Sequence, residues 1–253
     1  MNYGLWLSAA GMQVNEYRQD LIANNLANSE TVGFKHDLAV IRERRVESQV
    51  DPTGSRFAHP VLDGMTGGAW VRPTYHSFEQ GVLVKTDKPL DVAIEGNGFF
   101  TVRDGDQVRY TRDGRFVVNA GGELVSAADG GRLRILDKEG SPIRVDRSQP
   151  VTISATGVVF QGREPVAKLG VVDVDDAQKL RKVGRNVFAG VGETAKPSTS
   201  QLHPGFVEQS TADPVGMLAQ MIEAARAYEA NARLVTLQDE LNGRAATQIG
   251  RIR

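Results

Sequence analysis

The stretch "LIANNLANSETVGFK", Leu21 to Lys35, ends a run of helix-forming residues yet sets Asn24, Asn25 and Asn28 where that helix should be most apolar. Asparagine is a poor helix former, because its amide competes for nearby backbone groups. Upstream of it, Leu7, Ala10, Val14, Tyr17 and Leu21 recur at alternating steps of three and four, which predicts a helix from about Leu5 to Ser29. The same step carried forward lands on Asn24 and then Asn28. Gly33 follows as a stop, since glycine accepts a positive φ beyond a helix end.

The far end of the chain mirrors this pattern. In "STADPVGMLAQMIEAARAYEANARLVTLQDELNGRAA", Ser210 to Ala246, Asp213 suits an N-cap and Pro214 the first helical position. Leu218, Met221, Ala225, Tyr228, Ala232 and Val235 repeat the three-four step, and Asp239 and Asn242 continue it. Glu229–Arg233 and Glu240–Arg244 are i,i+4 pairs in the favourable order, each contributing about 0.3 kcal/mol.

Both stripes are narrow, like the a/d seam of a coiled coil, and a narrow seam wants another helix. Two arrangements meet that need: an antiparallel pair within one chain, or packing against neighbouring subunits. The small seam residues Ala10, Ala225 and Ala232 permit close approach but bury little area, which tilts the balance towards assembly. A polar amide on such a seam costs stability and fixes register. Asn24, Asn25 and Asn28 are therefore expected to specify alignment, or else to cap the turn before Gly33.

Between the helices the hydrophobic period becomes two. From about Leu90 to Val207 short strand-like runs are punctuated by Asp104-Gly105, Asp113-Gly114, Gly121-Gly122, Asp129-Gly130 and Glu139-Gly140, spaced as in hairpins and meanders. The fold class is accordingly α+β: long N- and C-terminal helices forming a coiled-coil-like domain, with a central antiparallel all-β domain. The expected divisions are 1–35 for the N-terminal helix, 36–88 for an extended connection with one or two strands, 89–209 for the β domain and 210–253 for the C-terminal helix.

Composition excludes several functions. Of 253 residues, 40% are hydrophobic and 24% charged, as in ordinary globular chains, and the net charge is −1. No basic block marks a nucleic-acid reader. There is no cysteine, hence no disulfide, thiolate nucleophile or Cys-ligated zinc. "MNYGLWLSAAGMQVNEYRQD" lacks the basic and apolar regions of a secretory signal, and no segment is apolar enough for direct membrane insertion. By those rules alone the chain stays in the cytoplasm.

Catalytic patterns are equally missing. His36, His59, His76 and His203 are scattered without metal-ligand spacing. Gly96-Asn97-Gly98 lacks the third glycine and following helix of a dinucleotide fingerprint. Asp173 to Asp176, "DVDD", lacks the glycine and terminal glutamate of a calcium loop. No catalytic, cofactor-binding or metal residue is assigned, and no cofactor is expected.

Four blocks, in order, resemble the signatures of the bacterial flagellar basal-body rod and hook proteins: "ANNLANSETVGFK" (Ala23 to Lys35), "PLDVAIEGNGFFTV" (Pro89 to Val102), "YTRDGRF" (Tyr110 to Phe116) and "MIEAARAYEANARLV" (Met221 to Val235). The resemblance spans nearly the whole chain. It implies a structural axial subunit, exported unfolded by the flagellar type III apparatus without a cleaved signal. The terminal helices would line a central channel, and the helical stack would form a torque-transmitting rod across the periplasm. The implied partners are copies of the chain, other rod and hook axial proteins and the export apparatus; contact of the β domain with ring proteins is left open.

The ending "LQDELNGRAATQIGRIR" is more similar to the proximal-rod branch, whereas "GGAWVRP" resembles the distal-rod branch; proximal is preferred. Where the family carries a Ser-Asn-Val-like element, this chain has Ser210-Thr211-Ala212. The resemblance and the stripes give an assembly seam of Leu7, Ala10, Val14, Tyr17, Leu21, Asn24, Asn25, Asn28, Leu218, Met221, Ala225, Tyr228, Ala232 and Val235. The competing readings are a β-rich cell-wall or carbohydrate-binding module and a hydrolase with dispersed carboxylates. Neither requires matched helices at both ends.

Overall fold

The computed structural model describes residues 3–45, 68–71, 74–184, 186–190 and 195–249. An N-terminal helix, a sheet-rich middle and a C-terminal helix make up an α+β chain. Two compact units divide it: one combines the terminal helices with Asp37–Tyr75, the other comprises Asn28–His36 and His76–Asp213.

In the helical unit, helix α1 spans Tyr3–Ala27 and helix α2 spans Pro214–Ile249. Helix α2 begins on the proline that the sequence marks, where a missing N–H costs nothing. Helix α1 stops earlier than its apolar period suggests, because Asn28 turns the chain: Thr31 N–H donates to the Asn28 carbonyl at 3.1 Å. Strands Ile41–Glu43 and Ala69–Val71 pair antiparallel in the same unit, with Arg42 opposite Trp70. Both were expected only loosely from the 36–88 connection, and most of its charged middle lies outside the described residues.

The second unit is built on antiparallel pairing. Among the described residues nine strands share one sheet, with Phe99–Asp104 at its centre between Gln107–Thr111 on one side and Arg134–Ile135 and Val171–Val174 on the other. A separate three-stranded sheet joins Val151–Ile153, Val158–Gln161 and Glu164–Lys168. Val92, Ile94, Phe100, Val102, Phe116, Leu124, Ile135 and Ile143 form the core, each fully buried. Each such side chain contributes about 1.5–3 kcal/mol by leaving water.

Two further pairings complete this unit: Val92–Glu95 with Gln201–Pro204, and Leu83–Lys85 with Phe206–Glu208. The last strand before α2 is thereby woven into the β unit. Asp104-Gly105 opens the hairpin whose register pairs Asp104 with Gln107. Asp113-Gly114 is not a hairpin tip: this loop is buried, and its role is described below.

Candidate functional site

Helices α1 and α2 approach each other through small residues. A Cβ placed on Gly4 would lie 2.6 Å from Gln238 Nε2, and one on Gly11 would lie 2.9 Å from Asn231 Oδ1. As position advances along α1 it recedes along α2, so the pair is antiparallel. The most buried residues of α1 are Ser8, Val14, Asn15, Ile22 and Asn25. With Gly4 and Gly11, most of these follow a three-four step one residue on from the stripe of large apolar side chains. On α2 the buried positions are Met217 and Ala224, which instead lie one residue before Leu218 and Ala225.

The sequence-derived seam residues are consequently covered only in part. Val14 and Asn25 are buried, and Asn24 and Leu218 are exposed. Leu7, Ala10, Tyr17, Leu21, Asn28, Met221, Ala225, Tyr228, Ala232 and Val235 are half-buried. Beyond them α2 presents Val215, Leu218 and Ile222 to solvent, and further along Leu234, Leu237 and Leu241, each between 47% and 76% exposed. Each trio repeats a three-four step, so each forms one apolar strip.

Two amides at the helix contact, Asn15 and Asn231, are not ones the sequence singles out. Asn15 Nδ2 donates to the Gly11 carbonyl at 2.8 Å, and Asn231 Nδ2 to the Ala227 carbonyl at 2.9 Å. Each therefore satisfies itself on its own helix while lying beside glycine-permitted close packing. Asn25 does something different. Its Nδ2 donates to the Asp37 carbonyl at 2.7 Å, and its Oδ1 accepts from Asp37 N–H at 2.9 Å. One buried side chain thus completes both backbone bonds of a residue beyond the turn. Asn28 sits past the helix end, its Oδ1 accepting from the Thr31 hydroxyl at 3.2 Å.

The β unit holds a buried charge cluster that sequence reasoning missed. Lys35, Arg112 and Glu208 are 0%, 3% and 1% exposed. Lys35 Nζ donates to Glu208 Oε1 at 2.7 Å and also reaches the Glu79 carbonyl. Arg112 Nη1 lies 3.4 Å from Glu208 Oε2, and its Nη2 donates to the Gly96 carbonyl at 2.8 Å. Gly81 N–H adds a third donor to Glu208, at 2.7 Å. Burial pushes the Lys35 ammonium and the Arg112 guanidinium below their ordinary values, and Glu208 opposes that shift for both. Two cations share one carboxylate.

Neighbouring groups hold this cluster in shape. The Arg112 guanidinium carbon sits 5.2 Å from the Phe99 ring centroid, and Phe99 packs edge-on against Phe78 and Phe188. Asp113 receives Arg115 through Nε at 3.0 Å and Nη2 at 2.7 Å, closing the "TRDGR" loop. Gly33 has φ +67, and a Cβ there would stand 2.6 Å from the Arg112 carbonyl carbon. That backbone cannot retreat as a flexible side chain would, so only glycine fits. Lys35 and Arg112 both lie inside the quoted signature blocks, but among those polar neighbours nothing local marked them as buried, and nothing marked Glu208.

These groups are structural in their geometry, with every cluster oxygen already engaged by a cation or an N–H. Among the described residues no group of three or more His, Asp or Glu side chains is disposed to hold a metal. No described helix is long and apolar enough to cross a membrane.

A helix-terminated β subunit with apolar strips along a long helix belongs to the class of assembly proteins, and comparison with known proteins makes the class specific. Residues 8–35 match the family model described as "Flagella basal body rod protein", residues 93–161 the "Flagellar hook protein FlgE/F/G D1 domain", and residues 203–249 the "Flagellar basal body rod FlgEFG protein C-terminal". The flagellar basal-body rod protein FlgF of Caulobacter vibrioides is 35% identical over the full length of both chains. FlgG of Buchnera aphidicola subsp. Baizongia pistaciae is 32% identical, covering 94% of this chain and 96% of its own. FlgG of Caulobacter vibrioides is 29% identical, covering 92% and 94%. The chain belongs to the flagellar basal-body rod protein family, a structural subunit of the flagellar basal body.

Proposed function

We propose that this rod subunit assembles helically through its two terminal helices, which form a coiled-coil-like core around the export channel of a torque-transmitting, periplasm-spanning shaft. The carrying observation is the solvent-exposed apolar surface of α2, where Leu234, Leu237 and Leu241 form one strip. Exposed apolar area of that kind marks an interface. The incomplete cover over Leu7, Ala10, Tyr17, Leu21, Met221, Ala225, Tyr228, Ala232 and Val235 supports the same seam, with partners in copies of this chain and other rod and hook axial proteins. Its role is structural and non-enzymatic. Export through the flagellar type III apparatus follows from the family resemblance.

Proximal placement is preferred to distal. Identity to FlgF of Caulobacter vibrioides is 35%, against 29% to FlgG of the same organism. The assembly reading is tested by Leu234→Glu combined with Leu237→Glu in a strain lacking the native gene. Circular dichroism of the purified variant should match the native chain, while swimming and recovery of the subunit in basal bodies should be lost. Normal motility of the Leu234→Glu/Leu237→Glu strain would refute the proposed interface.

A further inference from the structure

Two separate passages of chain meet at the buried cluster. One is the strap Asn28–His36, which follows α1; the other is the strand Phe206–Glu208 and its continuation through Thr211, which precedes α2. Two backbone bonds join them: Gly33 N–H donates to the Glu208 carbonyl at 2.6 Å, and Thr211 N–H to the Phe34 carbonyl at 3.1 Å. The Thr211 hydroxyl adds a bond from His36 N–H at 3.0 Å and contacts the His36 ring Nδ1 at 2.9 Å. Lys35 and Glu208, 173 residues apart in sequence, close an ion pair between the same two segments.

We infer that these residues form a conditional clasp: the strap docks on the β unit only once Glu208 is in place. Without Glu208, Lys35 would bring a buried ammonium next to the Arg112 guanidinium with no carboxylate between them. Like charges in a desolvated site repel strongly, and an isolated buried ammonium is costly by itself. The glycine at position 33 sharpens the condition, since the strap must also pass within contact distance of the Arg112–Asp113 backbone. A favourable strap position therefore requires residues from near both ends of the chain at once. Arg112 is the fixed element, tied to the Gly96 carbonyl and stacked on Phe99.

Thr211 occupies the departure from the family's Ser-Asn-Val-like element, and here its hydroxyl works inside the subunit on the strap. Under the proposed delivery as an unfolded chain, on which this clause alone rests, the strap would stay undocked until residue 208 had arrived. The clasp keeps the two helix-bearing ends from being fixed independently of each other.

Hydrogen exchange of the full-length purified chain, read by mass spectrometry, tests the clasp without reference to assembly. In the native chain, peptides covering 28–36 and 206–212 should be protected and should open together. In Glu208→Gln both should exchange at least about 100-fold faster, while Phe99–Asp104 remains the slower segment by a similar factor. Thr211→Val, which leaves all charges in place, should accelerate the same two peptides together by about 10-fold. Should Glu208→Gln unfold the whole unit, the threonine variant decides. Acceleration of one peptide without the other, or an unchanged strap in Thr211→Val, overturns the clasp.

Discussion

Charge arithmetic at the cluster makes an asymmetric prediction for its two ends. Native Lys35, Arg112 and Glu208 place two cations around one carboxylate in a site between 0% and 3% exposed. Glu208→Gln removes the carboxylate that contacts both cations and leaves both buried; breaking a buried pair in that way costs about 3–5 kcal/mol. Lys35→Met instead leaves one guanidinium facing one carboxylate. It gives up the bonds from Nζ to Glu208 and to the Glu79 carbonyl, but it also removes an ammonium that had to be desolvated. Its net cost should be about 1–2 kcal/mol. Equilibrium urea unfolding followed by far-ultraviolet circular dichroism measures both. With a slope of about 2 kcal/mol per molar, the midpoints of the two variants should differ by about 1 M. In Lys35→Met/Glu208→Gln the double loss should be smaller than the sum of the single losses by about 1 kcal/mol or more, since the second substitution removes one of the stranded cations. A Lys35→Met variant as damaged as Glu208→Gln would refute the argument from unbalanced charge.

The remaining predictions concern Asn25 and the pH dependence of Lys35. Asn25→Ala removes two buried hydrogen bonds to the Asp37 backbone, so stability should fall by about 2–4 kcal/mol, read by fluorescence of Trp6 and Trp70, which share its unit. A loss under about 0.5 kcal/mol would mean water replaces the amide. Burial holds the Lys35 ammonium below its ordinary 10.5, so the folded chain gives up that proton before the unfolded chain does. Between the folded value and 10.5 the unfolded state binds more protons, and this group's contribution makes stability rise with pH. Lys35→Met should lack that rising component when urea midpoints are compared from neutral pH to 10.5, and matching slopes would rule it out.

Both long helices, their type and the start of α2 at Pro214 were legible because their signals are local: a three-four apolar step and a proline at the first turn. The antiparallel middle was legible for the same reason, through turn residues at hairpin spacing. The rotational phase of the intrachain helix pair was not. Reading large side chains picks out Leu7, Ala10, Tyr17 and Leu21, whereas the backbones come closest at Gly4 and Gly11, which carry no hydrophobic signal. Glycine is permitted at such a contact because nothing projects from it. The ion cluster was illegible for a different reason. Glu208 reaches Arg112 across 96 residues and Lys35 across 173, and no periodicity encodes a contact of that range.

The asparagines at the end of α1 show how one sequence block carries two kinds of task. A seam amide that specifies register between subunits must keep its hydrogen-bonding capacity for a partner. Asn25 already spends an N–H and its Oδ1 on Asp37 of the same chain, in a site 1% exposed. Asn28 closes the turn after Ala27, and Gly33 and Lys35 anchor the strap to the β unit. Most of the block therefore shapes a single subunit. Under the proposed assembly, the surface for neighbours is the apolar strip set along α2 and the half-covered residues of α1. On that division, changes at Asn25 or Lys35 should first lower the stability of the isolated chain, whereas changes at Leu234 or Leu237 should leave the chain intact and act only on assembly. The two classes separate in one experiment, urea midpoints set beside swimming of the same variants. A variant at Leu237 that destabilised the lone chain as much as Asn25→Ala would show that the strip belongs to the subunit's own fold.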